Sequence, residues 1–246
     1  MKSMYLFSAL FLIAGLSGQA QVVLPDASPF ATLTQQMGGS EVLVEYSRPG
    51  VKGRVIFGEL VPYRQLWRAG ANASTKLFTR EELLVQDQYK LPPGVYAIYV
   101  VPDKEEWTII LSRDSWLWGT FGYKEIYDAV RFKVKSHFLE DPLETFTVRF
   151  ANICSGCAEL QLLWEHTKVG FRISTTADEK AMADIKAFAS NPEAKMAGEY
   201  YLAAKYYLDT QRDYEQALTW IDKALAYAPG AYWMTHTKAE ILAKKG

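Results

Sequence analysis

The sequence predicts a mostly β domain, an antiparallel sandwich or open barrel, followed by an all-α tail. Three observations predict this. From about Ala31 to Ser174 apolar residues recur at every second position. Turn residues such as Pro92-Pro93-Gly94 and Pro102-Asp103 interrupt that alternation at short intervals. Beyond Ser174 the pattern becomes helical. Many short strands without helical crossovers must bury their apolar faces by packing sheet on sheet or by closing.

The first element precedes the domain. Lys2 leads an apolar stretch from Tyr5 to Leu16, and Ser17-Gly18-Gln19-Ala20 supplies the small residues of a cleavage site. The stretch is about 12 residues long, short of the ~20 a bilayer span requires. Residues 1–20 are therefore expected to be a signal peptide, removed after Ala20 to leave Gln21 at the mature N-terminus. No other segment is long enough to span a membrane. The first cysteine is Cys154, too far along the chain for a lipid anchor at the leader. The protein is expected to be exported, to the periplasm or the extracellular space.

The β domain is expected over residues 21–174. Val130, Phe132 and Val134 alternate with Arg131, Lys133 and Lys135; Phe146, Val148 and Phe150 with Thr145, Thr147 and Arg149; Leu160, Leu162 and Trp164 with Glu159 and Gln161. These are half-buried antiparallel strands. Further strands are expected at Glu41 to Ser47, Lys76 to Thr79, Val95 to Val101, Trp107 to Ser112 and Val169 to Ser174.

Residues 175–246 form the expected helical tail. Thr175-Thr176 caps a helix from Ala177 to Phe188, and Asn191-Pro192 places an N-cap before a proline at the first helical position. From Gly198 to Pro229 the spacing resembles one tetratricopeptide repeat: Tyr201, Ala204 and Leu208 on the first helix, Ala217, Ile221 and Ala224 on the second, and Pro229 closing it. A solo helix is expected from Ala231 to Lys244. Such arrays usually need at least three repeats for a continuous core, so the tail is expected to pack on itself or on the β domain, with a peptide groove as the sharper alternative.

Removing Lys2 from 27 basic residues leaves 26 against 28 acidic ones, a net charge of about −2. That balance disfavours nucleic acid as a partner.

The segment E-Y-S-R-P-G-V-K-G-R-V-I-F-G-E-L-V-P-Y-R-Q-L-W-R-A-G-A-N-A-S-T, from Glu45 to Thr75, resembles the signature of a secreted bacterial family known as domain of unknown function 2911. Its later landmarks follow in order: Leu91-Pro92-Pro93-Gly94-Val95-Tyr96, Glu106-Trp107-Thr108-Ile109-Ile110, Trp118-Gly119, Glu144-Thr145-Phe146-Thr147 and Leu162-Leu163-Trp164-Glu165. The resemblance covers roughly Ser28 to Ile173. It implies an exported β-rich domain, sometimes followed by helical repeats, and carries no established reaction, substrate or catalytic residue. The two cysteines depart from the family's usual hairpin turn.

Between Tyr46 and Arg80 seven basic residues, Arg48, Lys52, Arg54, Arg64, Arg68, Lys76 and Arg80, face a single acidic residue, Glu59. Guanidinium groups present planar forks suited to carboxylate or phosphate, so Arg48, Arg54 and Arg68 with the amide of Asn72 are the candidate ligand-binding residues of an anion cleft. Tyr63 and Trp67 offer stacking surfaces. The alternative is that these arginines lock an irregular loop to the sheet through Glu45, Glu59 and backbone carbonyls.

Cys154-Ser155-Gly156-Cys157 falls between two alternating strands, where a cross-turn disulfide is geometrically plausible. A redox motif would be expected to open a helix in a βαβ setting, and a zinc site would need two more ligands. His137, His166 and His236 stand far apart, and neither G-x-S-x-G nor S-x-x-K occurs. Trp107, Trp116, Trp118, Phe121 and Tyr123 are either core or a stacking face for sugar rings.

The resulting expectation is an exported, non-catalytic binding or interaction protein for a small anion, an envelope glycan or a partner protein, without cofactor or metal. Two alternatives stay open. One is a hydrolase on an anionic or carbohydrate substrate, with Glu45, Tyr46 and Ser47 as the adjacent candidates for base or nucleophile. The other is a scaffold that works through the helical tail.

Overall fold

Alternating residues place one face of each strand against a shared core, and ten strands do so here. In chain order they are β1 (Phe30–Met37), β2 (Ser40–Ser47), β3 (Thr75–Thr79), β4 (Leu83–Val85), β5 (Tyr89–Leu91), β6 (Gly94–Val101), β7 (Glu106–Ser112), β8 (Asp128–Lys135), β9 (His137–Ala151) and β10 (Cys157–Thr175). The computed structural model describes residues 24–191 and 196–246. The expected leader, its cleavage point and Pro192 lie outside the described residues.

The strands form two antiparallel sheets, one ordered β1-β2-β3-β6-β7-β8 and the other β5-β4-β10-β9. Neither closes into a barrel. Their inner faces meet over Val44, Tyr46, Ile98, Trp107, Phe132, Phe146, Leu162 and Trp164, all buried in one cluster. This is the half-buried alternation the sequence predicts.

Two departures concern strand limits. Leu160 to Trp164 and Val169 to Ser174, expected as separate strands, belong to the single strand β10. It stays continuous because its pairing with β9 shifts register on either side of Glu165, a residue in the left-handed region at φ 53. β1, rich in Thr and Gln and absent from the expected strands, is an edge strand in unbroken register with β2.

The tail comprises α1 (Ala177–Ala189), α2 (Ala197–Asp209), α3 (Tyr214–Tyr227) and α4 (Tyr232–Lys245). Ala203, Ala204, Ala217 and Ala224 are buried with Ile221, Met234 and Ile241 in a core of their own. Small side chains let α2 and α3 approach closely, and Asp213 caps α3 by accepting from the Glu215 and Gln216 amides at 3.0 and 3.1 Å. Asp178 ties α1 to α2 and the turn after it by accepting from Tyr206 at 2.5 Å and from Arg212 at 2.7 and 2.6 Å. Among the described residues no helix is long and apolar enough to cross a membrane.

Candidate functional site

The connection from β2 to β3, residues 48–74, carries most of the candidate residues. It is irregular, yet its apolar side chains are core: Ile56, Phe57, Val61 and Trp67 are all buried. Trp67 exchanges two backbone hydrogen bonds of 2.8 Å with Val100, taking the place of a longer β3 beside β6. Its ring stacks on Trp164 at 5.7 Å and meets Phe57 edge-on at 5.9 Å. Successive side chains of an extended segment leave on opposite faces, so burying Trp67 turns Arg68 the other way. There its guanidinium lies near Gly119 and Tyr99.

The backbone around Arg68 is held in costly conformations. Lys52, Arg64, Ala69 and Asn72 all have positive φ, four of nine such non-glycine positions among the described residues. Conformations of this kind persist only where the surroundings enforce them. Here the Ala69 carbonyl accepts from the buried Thr75 hydroxyl at 2.5 Å, and the Gly70 carbonyl accepts from Trp67 Nε1 at 3.0 Å. Gly70 itself, at φ 148, passes so near the Ser47 carbonyl that a Cβ would sit 3.0 Å from that oxygen.

A cleft of about 400 Å³ opens beside this segment, with Lys52, Arg54, Arg68, Ser28, Trp67 and Trp164 among its lining residues. Among the described residues no aspartate, glutamate, histidine or cysteine lines it. The four candidate residues divide at this point. Arg54 and Arg68 share the cleft, joined by Lys52. Arg48 and Asn72 do not line it.

Arg48 donates through Nε to the Phe146 carbonyl at 3.3 Å and through Nη2 to Thr147 Oγ1 at 3.1 Å, with its guanidinium carbon 5.9 Å from the Tyr46 ring centre. It fastens the connection to β9. Asn72 Nδ2 reaches Ser47 Oγ at 3.4 Å and the Ser28 carbonyl at 3.5 Å, which holds the N-terminal approach to β1. Arg54 donates to the Gly50 carbonyl at 2.6 Å and to the Val51 carbonyl at 2.9 Å.

Arg68 differs from the other two. Among the described residues its side chain forms no hydrogen bond and no ion pair, and its Nε is buried without a partner. Burial lowers the guanidinium pKa, opposed only by the nearby Tyr99 hydroxyl. Trp164, just 2% exposed, likewise has an unpartnered buried Nε1. Two buried donors lacking acceptors thus belong to residues of one cleft. Trp164 and Ser28 could not be assigned to the site by sequence reasoning, because only the closing of the sandwich brings β10 and the N-terminal approach to the 48–74 connection.

Glu45 and Glu59 form no ion pair with these arginines. The Tyr46 hydroxyl is buried and donates to the Val148 carbonyl at 3.4 Å, while Glu45 pairs in register with Lys76 on β3. None of Glu45, Tyr46 and Ser47 lines the cleft.

The aromatic stretch after β7 also divides. Trp107 is core, whereas Trp116, Trp118 and Phe121 are 86%, 74% and 93% exposed. The loop displaying them is firmly held. Arg113 N–H donates to the Tyr127 carbonyl at 2.8 Å across its neck, and Ala73 bridges to Trp118. Leu117 and Tyr123 pack against Tyr99 on the outer face of the six-stranded sheet. Tyr123 donates to Asp128 and accepts from Arg131 at 2.8 Å; burial and Asp128 together push its phenol pKa well above the ordinary value.

Cys154 and Cys157 are joined across the β9–β10 turn, Cα atoms 5.0 Å apart. His166 stacks on Phe138 and contacts the Leu139 carbonyl at 2.8 Å. Among the described residues no group of three or more His, Cys, Asp or Glu is placed to hold a metal ion.

Residues 28–173 match the model of a family described as "Protein of unknown function (DUF2911)". No curated protein and no solved structure matches the chain.

Proposed function

The chain belongs to the DUF2911 family, and from that premise we propose that it is an exported, non-catalytic binding protein whose cleft takes a small anionic ligand. Arg68 carries the reading: among the described residues its half-buried guanidinium has no hydrogen bond or ion pair, and Arg68 lines, with Lys52 and Arg54, a cleft whose described lining residues include no carboxylate. A buried cation is costly unless paired, and a bound carboxylate or phosphate supplies the pair with charge-assisted hydrogen bonds. Lys52 and Arg54 add charge at the cleft and raise the rate of capture.

A hydrolase at this cleft is the weaker reading, because its described lining residues include no carboxylate, histidine or cysteine, so Ser28 has no such partner there to activate it. Export rests on the leader pattern of residues 1–20, and the helical tail serves as a tetratricopeptide-like unit packed on itself. A second site is favoured by one observation, the exposure of Trp116, Trp118 and Phe121 on an anchored loop, a surface suited to stacking against the faces of sugar rings.

Calorimetric titration of the chain from Gln21 with phosphate, sulfate and small dicarboxylates tests the cleft. Binding is expected for at least one anion and is expected to disappear in Arg68→Met while Arg48→Met retains it. An absence of heat across the whole panel, or equal binding by Arg68→Met, would overturn the reading.

A further inference from the structure

An antiparallel sheet leaves unpaired N–H and C=O groups along each edge, and proteins guard such edges with charge, proline, bulges, shortness or cover. The two sheets have four edges. β8 is guarded by the exposed Arg131, Lys133 and Lys135. β5 has only three residues. β9 carries Glu140, Asp141, Pro142 and Glu144, and the 48–74 connection lies along it, with Gly50 bridged to Thr145 and the Val51 amide donating to the Glu144 carbonyl at 2.7 Å.

β1 lacks charge, proline, bulge and shortness; Ala31 and Leu33 pack against the core shared with the second sheet, and the Gly38 amide just after the strand donates to the Ser155 carbonyl at 2.6 Å. Its eight residues, Phe-Ala-Thr-Leu-Thr-Gln-Gln-Met, include no charge and no proline, and its register with β2 runs without a bulge. Among the described residues its backbone makes no strand pairing on the side away from β2. Thr32, Thr34 and Gln36 are exposed on the outer face, and Phe30 is exposed at one end.

We propose that β1 is a pairing edge, and that its occupant is β1 of a second copy of this chain, joining two six-stranded sheets across a two-fold axis. Antiparallel pairing puts residues of the same face opposite one another, so the axis falls on a residue. Centred on Leu33, it sets Leu33 against its own copy on the inner face, and Thr32 opposite Thr34 and Phe30 opposite Gln36 of the second copy on the outer face. Self-pairing is penalised when like charges meet, and this strand has none, while threonine pairs across strands are favourable. A charged peptide would find no complementary charge along the strand. Eight residues at about 3.4 Å each give an edge of roughly 27 Å. One ladder of that length buries less than the ~1,200 Å² at which stable interfaces begin, so the dimer is a weak one that forms at micromolar concentration or above.

Sedimentation velocity of the chain from Gln21, over a concentration series reaching high micromolar, reads the equilibrium. The wild type is expected to pass from monomer to dimer. Thr32→Lys/Thr34→Lys, which places lysines opposite one another at exposed positions, is expected to weaken dimerisation by about tenfold or more with unchanged circular dichroism. If that variant misfolds, Thr32→Glu/Thr34→Glu, which sets carboxylates opposite one another, is read for the same shift. A wild type that stays monomeric throughout, or a dimer indifferent to these lysines, overturns the proposal. Arg68→Met, expected to lose anion binding, is expected to dimerise as the wild type does, so the two proposals fail separately.

Discussion

In the connection over residues 48–74, Phe57 and Trp67 are buried between the sheets and the cations are left at the surface. In the loop over residues 113–127 the arrangement is reversed: Trp116, Trp118 and Phe121 stand in solvent, and Leu117 and Tyr123 are the side chains that pack it against Tyr99 on the sheet. The two segments meet at the Ala73–Trp118 bridge. The difference teaches that an aromatic-rich irregular segment has two uses. It either completes a core and thereby fixes whatever its alternate residues display, or it spends a few anchors to present the aromatics themselves.

Replacing Trp67 tests the first use most severely. Trp67→Ala removes the ring at the centre of contacts with Phe57, Trp107, Phe146 and Trp164, and a loss of about 3–5 kcal/mol in urea-unfolding stability is expected. A loss of less than about 1 kcal/mol would mean that the connection is not part of the core. Arg48→Ala follows. It leaves the Phe146 carbonyl and Thr147 hydroxyl without their donor, and about 1–3 kcal/mol is expected, with the anion cleft intact.

Tyr123 anchors the second loop, and its contribution depends on pH. Its phenol pKa is raised in the folded state by burial and by Asp128, so the protonated form is favoured there. The stabilisation is fully present below the ordinary tyrosine value near 10 and is lost as pH rises through the folded-state pKa. The urea midpoints of wild type and Tyr123→Phe should differ at pH 8 and converge at higher alkaline pH. A gap that widens above pH 10 would reverse the assignment.

Trp116→Ala and Trp118→Ala are expected to change stability by no more than about 0.5 kcal/mol, since neither ring is buried. A large loss would show that these rings support the loop and would end the contrast. The smallest effect on folding is expected at Arg68. Arg68→Met removes a poorly solvated charge and should leave the melting temperature unchanged or raised while abolishing anion binding. A marked destabilisation would place Arg68 with Arg48 as a fastening residue.

Much of the architecture was legible in the sequence because its signals are local. The period-two alternation of Val130, Phe132 and Val134 marks β8, Asp213 marks the start of α3, and the buried Ala204, Ala217, Ile221 and Ala224 stand at the spacing expected of a close helix pair. β1 was not legible as a separate strand, because Thr32, Thr34, Gln35 and Gln36 carry little contrast between faces and its pairing with β2 supplies what its own pattern lacks. The two halves of β10 were read apart because the left-handed Glu165 breaks the alternation without ending the strand.

The candidate site was legible only as an excess of cations. The residue types around Arg48, Arg54, Arg68 and Asn72 established that a planar anion has potential partners here, since guanidinium chemistry belongs to the side chain wherever it lies. Which arginine stands unpaired was decided by the tertiary structure. β9 comes close enough to take up the donors of Arg48, the turn at Gly50 and Val51 takes those of Arg54, and burial of Trp67 turns Arg68 onto a face where no acceptor among the described residues reaches its side chain. Periodicity and composition are properties of neighbouring residues and survive in the bare sequence, whereas hydrogen-bond satisfaction depends on groups brought together from distant positions by the closing of the sandwich.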